Sequence, residues 1–507
     1  MAVWFGSRNI TLLFMHQSSN ISERWFFRVS FFVFALIFAS ITFVNHYCFR
    51  TYAYDLGINN NAIYDYAHFR WNDCMVMQPQ YTNVLSDHFS LIPLLVSPLS
   101  WLFGSYTMLI VQWVAVLFGG YGVYVFFKRK STKTYLPVLA MIYFFSIWGI
   151  YTALAYDYHD NVMAAMFVPW FINFFDKQNW KLATLFFILI IIAKENMALW
   201  MVLLSPALGL MYWKDKKLVG RGFLFGGIAL VYFSLIVGVV IPTLANAERG
   251  YNHFRYAALG DSYGEALTTI VTRPVYTIET LFKSTYPNGE FQELKDGLFR
   301  LLFYSGVWAL FVKPQYLIML LPIFAQKLYS NDSGKWGIYY QYSIEFVPIL
   351  AIAVFDALNR IKKPRITYAL ATVSIGMAIG ANIDVFENKH LGWYNDAGIQ
   401  FYSDKHYKKE FDIGEMHQAL NIVPDDPKVK VSAQSFLVPH LCFRDYIYQY
   451  PYVSDADYIV LAIDPENPYP LTGIEAVTDS INAYRHKPDW EVLYDKNSTL
   501  IARRKTK

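Results

Sequence analysis

Long apolar runs recur along most of the sequence and constrain its fold more than any other feature. Only 16% of the 507 residues are charged, against roughly 25% in an average soluble protein, so a soluble globule of this length would lack a polar coat. A bilayer core of ~30 Å is crossed by about 20 apolar residues in a helix. We therefore predict a polytopic α-helical membrane protein with about eleven transmembrane helices, from the runs at 29–47, 104–127, 135–155, 161–175, 180–193, 197–213, 222–244, 298–312, 314–330, 342–358 and 366–385.

Two apolar segments need separate interpretation. The run 29–47 is long and lacks a small-residue cleavage signature, which favours a retained signal anchor over a signal peptide. The stretch 88–103 is interrupted by Pro93 and Pro98, which favours a re-entrant or interfacial segment.

Basic residues mark one side of the predicted topology. Lys and Arg cluster in four short loops, whereas the alternate connections DYHDN and KEN hold a single lysine between them. Cytoplasmic loops are enriched in Lys and Arg, so we expect a cytoplasmic N-terminus in a multi-pass protein of the cytoplasmic (inner) membrane. The loops 48–87 and 245–297 and the C-terminal segment then lie on the outer face.

The C-terminal segment 386–507 differs in kind from the transmembrane part, 1–385. It is rich in charge and proline, and it alternates the short apolar runs VKVSA, YIVLAI, EVLY and TLIARR with helix-like stretches near 404–422 and 474–487. This pattern predicts a soluble extracytoplasmic α/β domain.

Polar and ionisable residues gather at the outer ends of several predicted spans. Ionisable groups cost ~2.5–3.5 kcal/mol each within a bilayer, so a set on one face needs a reason. We expect one polar cavity at the outer leaflet, lined by residues from the motifs YDLGINNN, AYDYHDN, AKEN and GIYYQYSIEF: Asp55, Asp157, His159, Lys194, Glu195, Tyr340 and Gln341.

Each of these residues also has a plain structural interpretation. Asp55 fits a helix N-cap, where a carboxylate accepts free backbone N–H groups. Lys194 and Glu195 fit a solvated turn or a local ion pair, and Asp157 and His159 fit a loop exposed to water.

The chemistry open to this set is narrow. Asp55 can act as a general base towards a hydroxyl group, and Lys194 can neutralise a phosphate leaving group. Asp157, His159 and Glu195 are candidate ligands of a divalent metal ion, although no HExxH spacing supports a metal. The sequence has no P-loop, no GxGxxG and no CxxC, and no basic block that suits nucleic acid.

An ordered set of segments resembles the membrane family called domain of unknown function 2079. The set comprises YDLGI, DHFSLIPLLVSPL, YDYHDN, AKEN, FRYAALG, KPQYLIMLLPIFAQKLYS and SAQSFLVPHLCFRDYIYQYP. That family is similar to type C (GT-C) glycosyltransferases, which have many spans and bind lipid-linked sugar donors at the outer leaflet.

The resemblance implies roles for particular residues. It makes Asp55 the candidate catalytic base, matches Asp157 and His159 to an Asp-aromatic-His element, and matches Lys194 and Glu195 to a Lys-Glu pair. His440 and Arg444 match the C-terminal signature, where they would close over the site or stabilise the C-terminal domain. Asn59, Asn60 and Asn61 stand where the family has Phe-Asp-Gln, which leaves Asp55 as the only strong carboxylate of that motif.

The leading hypothesis is an integral membrane glycosyltransferase with membrane lipid and a lipid-linked sugar as its partners. It would move a sugar from a polyprenyl-phosphate donor to an acceptor at the outer face, with Lys194 and Arg255 holding the donor phosphate. One alternative is a transporter or lipid flippase that uses the same polar set as a substrate pathway. Another is a non-catalytic envelope assembly protein.

Overall fold

The computed structural model describes residues 7–80, 82–245, 254–387, 396–465 and 473–505, with side chains from residue 21 onward. Each predicted apolar run is largely helical, because a helix satisfies its own backbone hydrogen bonds within an apolar segment. The helices of the first half are α1 (Ser7–Tyr47), α2 (Ile58–Ala67), α3 (Ile92–Val96), α4 (Ser100–Phe103), α5 (Thr107–Lys130), α6 (Leu136–Phe145), α7 (Trp148–Leu154), α8 (Asp160–Asp176), α9 (Trp180–Ile191), α10 (Glu195–Leu210), α11 (Lys216–Leu235) and α12 (Ile241–Leu244). Those of the second half are α13 (Tyr263–Thr272), α14 (Pro274–Phe282), α15 (Gln292–Tyr304), α16 (Pro314–Leu328), α17 (Ser333–Trp336), α18 (Phe346–Asn359), α19 (Pro364–Glu387), α20 (Ile413–Leu420), α21 (Val438–Leu441) and α22 (Gly473–Arg485).

Fewer helices meet the length of a full span than the sequence predicts. Among the described residues, four helical stretches are long and apolar enough to cross a bilayer, and the pair α6 and α7, bent by 47°, adds a fifth if it forms one span. The apolar helices α9, α10 and α18 are shorter, at 10–17 residues. The count of about eleven spans therefore stays a prediction. The four stretches are Ile21–Tyr47, Ile92–Lys130, Lys216–Leu244 and Pro364–Glu387.

Small residues let α10 and α11 pack closely. A Cβ atom built on Gly226 would lie 2.7 Å from Cγ of Pro206 and 2.9 Å from the carbonyl oxygen of Val202. Glycine at such a contact allows two helix backbones to approach, which is the usual device of membrane helix packing. This pair of helices forms one wall of the site described below.

A five-stranded sheet lies in the last part of the chain. Its strands are β1 (Val431–Ala433), β2 (Ile447–Gln449), β3 (Tyr458–Ala462), β4 (Trp490–Lys496) and β5 (Thr499–Arg504), in the order β2-β1-β3-β5-β4. β1 runs parallel to β2 and β3, whereas β5 runs antiparallel to β3 and β4. We call residues 396–465 and 473–505, which hold this sheet and α20 to α22, the α/β region. The four predicted apolar runs lie at or within β1, β3, β4 and β5, whereas β2 was not predicted.

The loop 48–87 packs into the α/β region. Phe49, Ala53 and Ile58 share a buried core with Val431 and Val438. This joint core means that the boundary drawn from sequence at 385/386 separates segments that pack together, so the two-domain division stays a prediction.

Polar contacts join the same two segments. The guanidinium of Arg50 donates to the carbonyl oxygens of His406, Lys405 and Lys408 at 2.7, 3.0 and 2.8 Å. The Asn61 amide donates to two carbonyl oxygens of the 442–444 segment, at 3.1 Å each. Each of these side chains donates to backbone acceptors of the α/β region and so ties the two segments together.

Candidate functional site

A cavity of about 1180 Å³ lies where the helices meet the loop 48–87, and we call it the central cavity. One part of its wall is polar and comes from residues 54–59, 87–90, 158–161, 194–196 and 341–345. The other part is apolar and comes chiefly from α10, α11, α13 and α16: Leu199, Val202, Leu203, Leu230, Phe233, Leu267, Ile270, Leu321 and Phe324. The cavity therefore suits a molecule with one polar and one apolar end.

Apolar residues also form part of the rim. Leu230 on α11 and Leu267 and Ile270 on α13 line the cavity and are themselves 49%, 63% and 39% exposed. A rim of this kind gives an apolar chain a path between the cavity and the apolar surface of the helices.

Asp55 lies on a single turn of π-helix, Ala53–Gly57, that follows the end of α1. Its side chain is 25% exposed, and its Oδ1 lies 3.0 Å from Nε2 of His159. His159 is buried, and its ring stacks on Tyr156 with centroids 5.4 Å apart. Both residues of the Asp55–His159 pair line the central cavity.

Asp157 lies behind this pair and is not among the residues that line the cavity. It has a left-handed backbone conformation, with φ of 56°, and it is buried. Its Oδ2 accepts hydrogen bonds from the backbone N–H groups of Tyr52 at 2.7 Å and Leu56 at 3.4 Å. Burial, together with the nearby carboxylate of Asp55, raises the pKa of Asp157. Its contacts support the turn that carries Asp55, and its role in substrate binding stays a prediction.

Glu195 begins α10 and is only 1% exposed. Its Oε1 lies 2.9 Å from Nδ1 of His88, and its Oε2 accepts from the backbone N–H of Phe89 at 3.1 Å. Glu195 and His88 form a second carboxylate–histidine pair in the wall of the cavity. The side chains of Glu195, Asp157 and His159 are all buried. The interpretation of Glu195 as part of a solvated turn is therefore wrong, and so is that of Asp157 and His159 as residues of an exposed loop.

Among the described residues, four cationic side chains line the cavity, of which the sequence predicted Lys194 and Arg255. Lys327 and Lys335 were not predicted. Lys327 donates to the carbonyl oxygens of Gly337 and Tyr342 at 2.7 and 3.2 Å, so it holds the segment between α17 and α18. The sequence held a signal for Lys335, which lies between the apolar runs 314–330 and 342–358 at the connection assigned to the outer face, whereas Lys327 lies within the run 314–330.

The other three cations have no carboxylate partner within 4.0 Å in the part of the chain that the structure describes. Burial lowers the pKa of Lys335; the carboxylate of Asp332 opposes this shift, and the charges of Lys194 and Arg255 add to it. Two nearby carboxylates accept hydrogen bonds from other side chains. Asp160 accepts from Ser90 and Tyr158 at 2.7 Å each, and Glu345 accepts from Asn161 at 2.7 Å. Cations gathered without direct ion pairs favour an anionic ligand.

The remaining predicted residues divide between the cavity and its surroundings. Gln341 is buried and lines the cavity. Tyr340 does not line it, and its ring lies 4.4 Å from that of Tyr156 behind the wall. His440 and Arg444 do not line it either.

His440 and Arg444 make their contacts within or next to the α/β region. The ring of His440 stacks on His46 with centroids 4.2 Å apart. The Arg444 Nε donates to the carbonyl oxygen of Leu441 at 2.7 Å. Of the two roles that the resemblance allowed, these contacts suit stabilisation of the α/β region.

Each candidate metal ligand contacts another group of the protein. Asp157 caps the turn of Asp55, His159 contacts Asp55, and Glu195 contacts His88. Among the described residues, no group of three His, Cys, Asp or Glu side chains is arranged to hold a metal ion. The three cysteines, Cys48, Cys74 and Cys442, are buried and free of disulfides.

Comparison with known proteins places the chain in a family. No curated protein matches it. A family model described as "Predicted membrane protein (DUF2079)" matches residues 45–499. The match spans the turn of Asp55, the whole wall of the central cavity and nearly all of the α/β region, and it confirms the family resemblance found in the sequence. The chain therefore belongs to the DUF2079 family of predicted membrane proteins.

Proposed function

We propose that the protein is a glycosyltransferase of GT-C type that takes its sugar from a polyprenyl-phosphate donor. The observation that carries the proposal is the central cavity, which joins an apolar wall and rim to a polar end containing Asp55 and three cations without carboxylate partners. A lipid-linked sugar has the same division into an apolar chain, an anionic phosphate and a polar sugar. The cavity volume of about 1180 Å³ exceeds the ~300–1,000 Å³ of ordinary small-molecule pockets.

The side chains support a direct displacement. Asp55 takes the proton of an acceptor hydroxyl group as that oxygen bonds to the anomeric carbon of the sugar. The bond between the anomeric carbon and the phosphate oxygen breaks, and its electron pair leaves with the lipid phosphate. Lys194, Arg255 and Lys335 offset the charge that develops on this phosphate. One displacement of this kind inverts the configuration at the anomeric carbon.

His159 fits a supporting role for the base. Its Nε2 lies 3.0 Å from Asp55 Oδ1, so an imidazole with its proton on Nε2 donates to that oxygen and leaves Oδ2 to face the acceptor. The pair fixes the orientation of the carboxylate, as a base needs before substrate arrives.

The proposal includes the topology expected from the loop charges. The N-terminus is cytoplasmic, and the loops 48–87 and 245–297 and the α/β region lie on the outer face of the cytoplasmic membrane. The donor then meets the cavity from the outer leaflet, through the rim of Leu230, Leu267 and Ile270.

Mass spectrometry of lipids that co-purify with the protein tests this function. The variants are Asp55→Asn and a matched control, Asp404→Asn, whose side chain is 90% exposed. Asp55→Asn removes the base but keeps the shape of the side chain, so we expect a polyprenyl-phosphate sugar to accumulate on it relative to the wild type and the control.

Two results would contradict the proposal. If all three proteins carried bulk phospholipid alone, the proposed polyprenyl-phosphate donor would have no support. A lipid-linked sugar bound equally by all three, and moved between leaflets of a vesicle without transfer, would identify a flippase instead.

A further inference from the structure

We propose that the α/β region positions the site from outside the cavity, because the carboxyl end of β1 and α21 set the position of the turn that carries Asp55. Ser435 is the positioning residue on this side of the turn. The inference rests on the proposed function for its catalytic meaning, and on contacts alone for the placement of Asp55.

The carboxyl end of β1 contacts the turn directly. β1 lies between its parallel neighbours β2 and β3, and in open α/β sheets the carboxyl ends of parallel strands are where ligands bind. Here the residues that follow β1 bind protein instead. The Oγ of Ser435 accepts from the backbone N–H of Ala53 at 3.2 Å, and Gln434 Oε1 accepts from Ala462 N–H of β3 at 3.0 Å.

The helical part of the chain holds the same turn from the other side. Asp157 Oδ2 accepts from the backbone N–H groups of Tyr52 and Leu56, on either side of Asp55. The turn is therefore fixed between two acceptors that are distant in sequence, Asp157 before α8 and Ser435 after β1.

Close packing against α21 removes the remaining freedom of the turn. A Cβ atom built on Gly57 would lie 2.9 Å from Cγ1 of Val438 and 3.4 Å from the carbonyl oxygen of Tyr52. Valine is stiff about χ1, so an added methyl group must displace either α21 or the turn.

Such a displacement would reach the Asp55–His159 pair. A misplacement of about 1 Å at a reacting group costs roughly hundredfold in rate. The α/β region thus controls whether Asp55 faces the cavity at its 3.0 Å distance from His159.

The test uses the purified full-length protein in four forms: wild type, Gly57→Ala, Val438→Ala and the double variant. Carboxyl labelling with a water-soluble carbodiimide, read by mass spectrometry, reports how accessible Asp55 is and needs no substrate. We expect Gly57→Ala to change the labelling of Asp55 several-fold and the double variant to restore it, since Val438→Ala removes the atom that the new methyl group meets. Gly227→Ala is the matched control, because no atom lies within 4 Å of a Cβ built there.

A second variant keeps the test valid if Gly57→Ala does not fold. Ser435→Ala removes the acceptor of the Ala53 N–H, whereas Ser435→Thr keeps a hydroxyl group there. We expect Ser435→Ala to change the labelling of Asp55 and Ser435→Thr to resemble the wild type.

Unchanged labelling in both Gly57→Ala and Ser435→Ala would overturn the inference, as would a folded double variant that behaves like Gly57→Ala. Retained lipid, measured on the same samples, separates this outcome from failure of the proposed function. If labelling responds and is restored while no variant carries a lipid-linked sugar, the positioning stands and the transferase does not.

Discussion

Protonation of His440 is expected to loosen the contact between the end of α1 and the α/β region. His440 stacks on His46 at the end of α1, and its centroid lies 4.4 Å from that of Phe49 and 5.5 Å from that of His417 on α20. Its Nε2 is buried without a hydrogen-bond partner in the described part of the chain. Burial, followed by the imidazoles of His46 and His417, lowers the pKa of His440 well below 6.5.

The sign of the effect follows from the direction of this shift. In the unfolded chain the imidazole binds a proton below its ordinary pKa of 6.5, whereas in the folded protein it stays neutral. Stability is therefore complete above pH 6.5 and is lost as the pH falls below that value. One pH unit corresponds to about 1.4 kcal/mol, so His440 alone should cost about 1.4 kcal/mol at pH 5.5. Burial also lowers the pKa of His417, which adds to the loss in the same direction.

Hydrogen exchange provides the assay. We expect the opening equilibrium of peptides from 431–449, corrected for intrinsic exchange rates, to increase about tenfold between pH 7.5 and pH 5.5. His440→Phe keeps an aromatic ring in the stack and should reduce this increase, whereas the exposed His486, changed to Gln, should leave it unaltered. An opening equilibrium that is independent of pH, or a His440→Phe protein with the full pH dependence, would refute the reasoning.

Three further substitutions test the contacts that hold the elements around the site. Arg50→Met leaves three carbonyl oxygens of 405–408 without their donor; we expect a loss of about 3 kcal/mol and faster proteolysis of the α/β region. Lys295→Met removes the buried donor to three other carbonyl oxygens; we expect a similar loss of about 3 kcal/mol, seen as faster hydrogen exchange in 263–304, and unchanged exchange there would contradict it. Gly226→Ala forces α10 and α11 apart and should lower the free energy of unfolding by ~1–3 kcal/mol. Gly227→Ala, which meets no atom within 4 Å, should leave the melting temperature in detergent the same or slightly higher.

The helices and strands of this fold are predictable from the sequence because hydropathy is a local property. A run such as 222–244 must become a helix in an apolar environment, whatever its neighbours, and the structure has helix there. The short apolar run YIVLAI likewise predicts a strand from local sequence, and its residues form β3 and continue just beyond it. The number of membrane spans is harder to predict, because helices such as α9 and α10 are shorter than a bilayer crossing requires. Their placement depends on the helices that pack against them.

The candidate site is only partly predictable from the sequence. The sequence alone brought Asp55, His159, Lys194 and Glu195 to one end of the helices, and all four line the central cavity. Residue types and spacing could not separate Asp157 from these four. That carboxylate accepts hydrogen bonds from the backbone of a turn and does not line the cavity.

Local sequence patterns thus specify which segments are helical or extended and which polar residues need a common explanation. Tertiary structure alone decided the partners: His159 with Asp55, His88 with Glu195, and Ser435 with the turn of Asp55. Each of these contacts joins residues about a hundred or more positions apart. Such contacts depend on how helices and strands pack, and packing is a property of whole surfaces that no local pattern contains.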